Sequence, residues 1–159
     1  EPVADRLDPG LGDIQDELFI VGADLATPMD AKPVVPRVEE AHVTAVETRI
    51  DTFDADLDPL KTFVLPGGTP AAATLHTART VCRRAERLVV EARTSTPVND
   101  QAIIYLNRLS DLLFVLARWA NRQAGVREDP WTAPAENSGA DTSADTADTA
   151  PSSQEAERA

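Results

Sequence analysis

At 159 residues the chain is long enough for one domain with a real core and too short for several. Its 27 acidic residues against 15 basic ones leave a formal charge of −12, which argues against nucleic acid, because a phosphate backbone needs a basic surface. A single cysteine excludes an intrachain disulfide, two histidines argue against a histidine-built metal centre, and no apolar run or leader is visible, so no membrane partner and a cytoplasmic location are expected.

From about Gly10 to Ala26, Leu11, Ile14, Leu18, Val21 and Leu25 recur at three and four, the mark of an amphipathic helix. Thr27-Pro28 ends it, since a residue before proline avoids the helical region. Residues 28–37 carry Pro28, Pro33 and Pro36 and predict an extended connection. A second helix is expected over Val38 to Phe53, with Val43, Val46 and Ile50 inward and Glu39, Glu40, Glu47 and Asp51 outward; His42 falls on its exposed side. Residues 54–66 form a loop, and Gly67 and Gly68 let the chain turn into a third helix, from about Thr69 to Arg93. On that helix Cys82 shares an apolar face with Leu75, Ala78, Ala85 and Val89 and is expected to be a core residue. A fourth helix spans about Val98 to Gln123. There Ile103, Leu106, Leu109, Leu113 and Leu116 make a core seam, while Asn107, Asp111, Phe114 and Arg118 line another face.

These four helices and their short to moderate connections predict an all-α, up-and-down bundle with antiparallel neighbours over residues 1–133. From Pro134 onward Ala-Asp-Thr repeats, and no aromatic follows Trp131. Residues 134–159 are expected to be a disordered acidic tail, because such a stretch cannot bury enough apolar surface to offset its ordering entropy.

The third helix carries the chemistry. Arg79, Arg83, Glu86 and Arg87 follow one another at steps of four, three and one, which gathers three guanidinium groups and one carboxylate into a stripe. One carboxylate cannot balance three arginines, and arginine's planar fork grips phosphate oxygens in pairs, so the stripe suits a polyanion. A solvated face or an intersubunit salt-bridge network is the alternative that the residues alone leave open.

Four blocks stand around this stripe: Ile14-Gln15-Asp16-Glu17-Leu18-Phe19; Gly22-Ala23-Asp24-Leu25-Ala26-Thr27-Pro28; Phe63-Val64-Leu65-Pro66-Gly67-Gly68-Thr69; and Tyr105-Leu106-Asn107-Arg108-Leu109-Ser110-Asp111-Leu112-Leu113-Phe114. With His76 to Leu88 between the last two, residues 11–131 resemble the ATP:cob(I)alamin adenosyltransferases of the propanediol-utilisation (PduO) type. The resemblance implies a homotrimer of five-helix bundles with active sites between subunits. It implies transfer of the 5′-deoxyadenosyl group of ATP to the cobalt of a reduced corrinoid, with loss of triphosphate. The family's phosphate-wrapping loop and first helix have no counterpart after Glu1, and the expectation is that an N-terminal segment precedes the sequence in hand.

The resemblance also implies residue roles. Arg83, Arg84, Glu86 and Arg87 belong to the ATP-contacting block, with Arg83 the main triphosphate donor and Glu86 holding the nucleotide or orienting an arginine. Asn107 is the second ATP contact. Arg79 occupies the catalytic position that pairs with an aspartate of a neighbouring subunit. Phe63 corresponds to the aromatic at the lower face of the corrin, where it displaces the axial base; a simple turn anchor is the alternative. Arg108 and Asp111 fit a salt-bridge pair that orients Asn107. His76 either touches the site or packs. ATP and cobalamin are then the substrates, with Mg²⁺ riding on the phosphates and a flavoprotein or other reductase as a further partner. The competing reading is a corrinoid-binding or delivery protein without ATP turnover. A di-iron bundle is disfavoured for want of Glu-x-x-His pairs.

Overall fold

The computed structural model describes residues 3–32 and 34–132; the expected tail, 134–159, lies outside them. The described residues form an all-α bundle of four helices, α1 (Val3–Leu25), α2 (Glu40–Asp54), α3 (Pro70–Ala92) and α4 (Asp100–Gln123). α4 is the hub: it packs most extensively on α3, then on α2, then on α1.

That central place changes the expected picture of α4. The apolar spacing predicts one seam, and Leu106, Leu109, Leu113 and Leu116 are indeed buried. Leu112, Val115, Ala117, Trp119 and Ala120 are buried as well, so nearly the whole circumference of the helix is enclosed from Leu112 to Asn121. A helix with neighbours on all sides has no solvent stripe to set a period, and its pattern understates its burial. Each fully buried aliphatic or aromatic side chain contributes about 1.5–3 kcal/mol relative to exposure. Val46 of α2 and Trp119 of α4 are fully buried, and Phe53 meets the Trp119 ring edge-on with centroids 5.2 Å apart.

Polar groups fix how the helices meet. Asp24, 2 % exposed at the end of α1, accepts hydrogen bonds from the Arg37 guanidinium at 2.7 Å, the Val38 backbone N–H at 2.8 Å and the Asn99 amide at 2.7 Å. Asn99 is in turn the N-cap of α4, its Oδ1 accepting from the Gln101 N–H at 3.0 Å. One carboxylate therefore ties the end of α1, the extended connection and the start of α4. Burial pulls the Asp24 carboxyl pKa upward, but the bonds from Arg37, Val38 and Asn99 outweigh it and hold the group below its ordinary value. The same knot explains why α2 starts later than expected: Val38 is drawn into extended backbone to reach Asp24, and the helix begins at Glu40.

His42 closes the first turn of α2, its Nδ1 accepting from the Glu39 N–H at 3.0 Å. Glu39 and His42 are the one pair in the chain with Glu-x-x-His spacing, and here that spacing serves a helix end. α1 also departs from expectation. Apolar spacing places its start at about Gly10, whereas the helix runs back through Pro9 to Val3. A proline removes a single donor, and helical backbone continues where the bonds on either side are made.

Candidate active site

The loop before α3 is held from both sides. Thr69 caps α3, its hydroxyl accepting from the Ala72 N–H at 3.1 Å, and Pro70 stands in the first turn, where a missing N–H costs nothing. Gly68 takes φ +99°, which L side chains rarely adopt. The loop's outer part pairs with the segment that follows α4: Leu65 N–H donates to Asp129 C=O and Trp131 N–H to Phe63 C=O, each at 2.8 Å, and Val64 and Pro130 form an antiparallel bridge. Phe63 is 80 % exposed at this pairing, with Trp131 edge-on at 6.5 Å between centroids. Phe63, Val64, Leu65, Pro66 and Trp131 line a shallow apolar hollow of about 390 Å³.

α3 and α4 bring the expected polar residues together. The Asn107 amide donates to Glu86 Oε1 at 2.9 Å, Arg108 donates to Asn107 Oδ1 at 2.6 Å, and Arg108 pairs with Asp111 at 3.0 Å. Glu86, Asn107, Arg108 and Asp111 thus form one hydrogen-bonded chain in which each partner fixes the next. Its consequence is electrostatic. The stripe's single carboxylate is occupied by Asn107, while Arg83, Arg84 and Arg87 are exposed and make no ion pair among the described residues. In water such neighbours repel by only about 1 kcal/mol at contact distance, so the face tolerates being empty and gains from an anion that binds to it.

Arg79 differs from the other three. It is half-buried, and its guanidinium lies over the Phe114 ring, 5.5 Å from the centroid. Its Nε is buried without a hydrogen-bond partner among the described residues. Arg118 approaches the same ring at 5.9 Å. It is buried, with its Nε 3.2 Å from each Glu128 carboxylate oxygen and a terminal NH₂ donating to Asp58 C=O at 2.8 Å. His76, 4 % exposed, packs near Phe114 with centroids 6.1 Å apart, and its Nδ1 also lacks a partner. Burial and then the Arg79 charge push the His76 pKa down, against an opposing pull from Glu128.

Phe114, Arg118 and Asn121 are the site's neighbours that sequence reasoning did not single out for a role. Phe114 and Arg118 were visible on the same α4 face as Asn107 and Asp111, and the available signal was their i, i+4 and i, i+7 spacing. Cys82 is buried as expected, donating to Leu106 C=O at 3.2 Å; Ala78, expected beside it in the core, is exposed. Among the described residues no hydrogen bond, ion pair or ring contact joins the phenylalanine loop to the arginine stripe. A cleft of about 540 Å³ lies behind the loop, lined by residues that include Leu57, Lys61, Val64, Arg118 and Arg122, and no member of the stripe reaches it.

The cobalamin adenosyltransferase family profile matches residues 2–120. A corrinoid adenosyltransferase of Mycobacterium bovis is 48 % identical over 120 residues, covering 73 % of this chain and 62 % of that protein. One from Bacillus subtilis is 43 % identical over 126 residues, covering 79 % and 64 %. Among solved structures, a variant PduO-type ATP:corrinoid adenosyltransferase from Lactobacillus reuteri, complexed with cobalamin and ATP, superposes with a TM-score of 0.78 at 36 % identity, over 82 % of this chain and 71 % of that one. The chain thus spans less than two thirds of the length of the curated relatives it matches. A family profile that covers most of the bundle, together with this agreement in sequence and fold, shows that the chain belongs to the cobalamin adenosyltransferase family.

Proposed function

We propose that the protein transfers the 5′-deoxyadenosyl group of ATP to the cobalt of a reduced corrinoid, giving adenosylcobalamin and triphosphate. The observation that carries this reading is the set of exposed guanidinium groups of Arg83, Arg84 and Arg87 on α3, which make no ion pair among the described residues, beside Glu86, one of whose oxygens accepts from Asn107. In the reaction the cob(I)alamin electron pair forms the cobalt–carbon bond at C5′, and the C5′–O bond breaks with its pair going to triphosphate. Negative charge grows on the leaving oxygen, and fixed donors aimed at it stabilise the transition state. Arg83 is the main donor, with Arg84 and Arg87 beside it. Glu86 and Asn107 hold the nucleotide side, with Arg108 and Asp111 fixing the Asn107 amide. Relatives of this chain carry the same activity in their names, and one is solved with both cobalamin and ATP.

The bundle domain is assigned to residues 1–133 and the acidic tail to 134–159. Mg²⁺ is assigned to the phosphate oxygens of ATP; among the described residues no three His, Cys, Asp or Glu side chains converge. The reductase partner follows from the need for cob(I)alamin. No helix among the described residues is long and apolar enough to cross a membrane, which is compatible with the cytoplasmic location expected from the sequence. Homotrimer formation is supported by apolar side chains left open, Phe19, Val81 and Leu88 among them, and by the unsatisfied Arg79 Nε, which an aspartate of a neighbouring copy would complete.

Phe63 is assigned to the lower face of the corrin, supported by its exposure and by the apolar hollow beside it. There it excludes the axial base and leaves cob(II)alamin four-coordinate, which eases reduction. Phe63→Ala is expected to leave ATP binding intact, because the arginines lie on another element, and to cut adenosylation of cobalamin much more than that of cobinamide, which has no tethered base. Spectra of cob(II)alamin with ATP test it: four-coordinate in the wild type and five-coordinate in the variant. A four-coordinate signal retained by the variant makes Phe63 a turn anchor only.

A further inference from the structure

Asn121 stands in the last turn of α4, buried at 3 % exposure, and has no part in the arginine face. Its Oδ1 accepts from the Thr69 N–H at 2.9 Å and its Nδ2 donates to Gly67 C=O at 3.0 Å. One amide therefore spans Gly68, taking the carbonyl before it and the N–H after it. Gly68 has no room for anything larger: a Cβ there would collide with the Asn121 side chain, in addition to the strain of its positive φ. Donor and acceptor are fixed by their partners, since turning the amide over would set N–H against N–H and oxygen against oxygen. The Asn121 backbone carbonyl adds a third tie, accepting from the Val126 N–H at 2.9 Å, where the returning segment begins. That segment ends in the bonds of Asp129 and Trp131 to the backbone of Leu65 and Phe63. The Asn121 side chain thus holds the loop's junction with α3, and its backbone carbonyl holds the start of the segment that pairs with the loop, which Arg118 also grips at Glu128.

We propose that Asn121 is a positioning residue for the Phe63 ring, acting through the loop that it latches and so setting how well the ring displaces the corrinoid's lower base. The proposal rests on the assignment of Phe63 to the corrin's lower face. A residue that merely caps α3 would affect stability alone, so the test needs a readout of coordination. Asn121→Asp is the informative change. It keeps an oxygen to accept from Thr69 N–H, where negative charge at a helix N-terminus is tolerated. It replaces the donor to Gly67 C=O with a second acceptor, and two oxygens at that distance repel.

The experiment uses the intact protein with ATP and measures the cob(II)alamin spectrum, ATP binding by calorimetry, and adenosylation of cobalamin and of cobinamide. For Asn121→Asp the expected result is unchanged ATP affinity, loss of four-coordinate signal, and a fall of up to about a hundredfold with cobalamin, the size that a misplacement of about 1 Å produces. The fall with cobinamide is expected to be far smaller. Gly68→Ala, which displaces the same amide from the other side, should reproduce this pattern and keeps the idea testable if Asn121→Asp does not fold. An unchanged ratio of cobalamin to cobinamide rates in whichever variant folds overturns the latch, whatever happens to its melting temperature. If Phe63→Ala itself leaves that ratio unchanged, the reading of Phe63 fails instead, and the two failures are told apart by that control.

Discussion

Arg83 and Cys82 are adjacent on α3 and face opposite fates. Arg83 is exposed and unpaired, and its replacement by alanine should cost about 2–4 kcal/mol of transition-state stabilisation, the usual worth of one charged donor at a developing oxyanion. The check is kcat/KM for ATP; wild-type values in Arg83→Ala would remove Arg83 from the triphosphate site. Cys82 is buried against Leu106 C=O, and burial first, then the Glu86 charge, pushes its thiol up to about 11. Only the thiolate attacks an alkylating agent, so iodoacetamide at pH 8 should leave Cys82 unmodified in the folded protein and label it on unfolding. Labelling of the native state at the rate of a free thiol would contradict this burial. At this scale the sequence was legible where residues share a helix: the stripe of Arg79, Arg83, Glu86 and Arg87 is visible from spacing alone. Contacts between helices were not. The Glu86–Asn107 bond was not anticipated, since Glu86 was expected to hold the nucleotide or orient an arginine, and both it and the seat of Arg79 on Phe114 depend on the α3–α4 register, which no local pattern encodes.

Elements meet at points where a single polar side chain serves several of them, and Asp24 is the clearest. Asp24→Asn would keep the shape and lose the charge that Arg37, Val38 and Asn99 bind, leaving the Arg37 guanidinium with its backbone carbonyl acceptors at Asp24, Thr27 and Pro28 but without an anionic one. The folded-state pKa of Asp24 lies below the unfolded value of 3.8, so its contribution is fully present above that value and is lost as pH falls through the folded pKa. Thermal unfolding at pH 7 should therefore show Asp24→Asn less stable by about 1–3 kcal/mol, as for a lost charged hydrogen bond. The gap should narrow as the pH falls below 3.8. A gap that stays constant through that acid range would mean that the charge is not what holds the knot. Helix existence was readable from apolar spacing, and the start of α3 from the turn at Gly67 and Gly68, whereas α4 begins at Asp100, after the expected Val98, because Asn99 caps it. The late start of α2 and the early start of α1 were not readable either, because the first is set by the long-range pull of Asp24 on Val38 and the second runs through a proline that local propensity reads as a stop.

For the molecule as a whole, the two halves of the proposed site are separate within one chain. The Phe63 loop lies against the segment after α4, the arginine stripe on α3, and the Arg79 Nε has no partner among the described residues. Under the proposed intersubunit site, the loop of one copy and the stripe of another act together on the two substrates. Sedimentation of the intact protein should accordingly give a trimer, and Arg79→Ala should lower activity and weaken the trimer together; a fully active monomer would contradict the intersubunit site. The bundle class was legible from four periodic segments with limited connections, while the central place of α4 was not, since burial on every side erases the stripe that would announce it. The most direct test of the account is turnover: the intact protein is mixed anaerobically with cob(I)alamin, ATP and Mg²⁺, and adenosylcobalamin and triphosphate are measured together. The account predicts one triphosphate for each cobalt–carbon bond formed, with both slowed together in Arg83→Ala. Corrinoid binding with neither product formed would contradict it and leave a corrinoid carrier in its place.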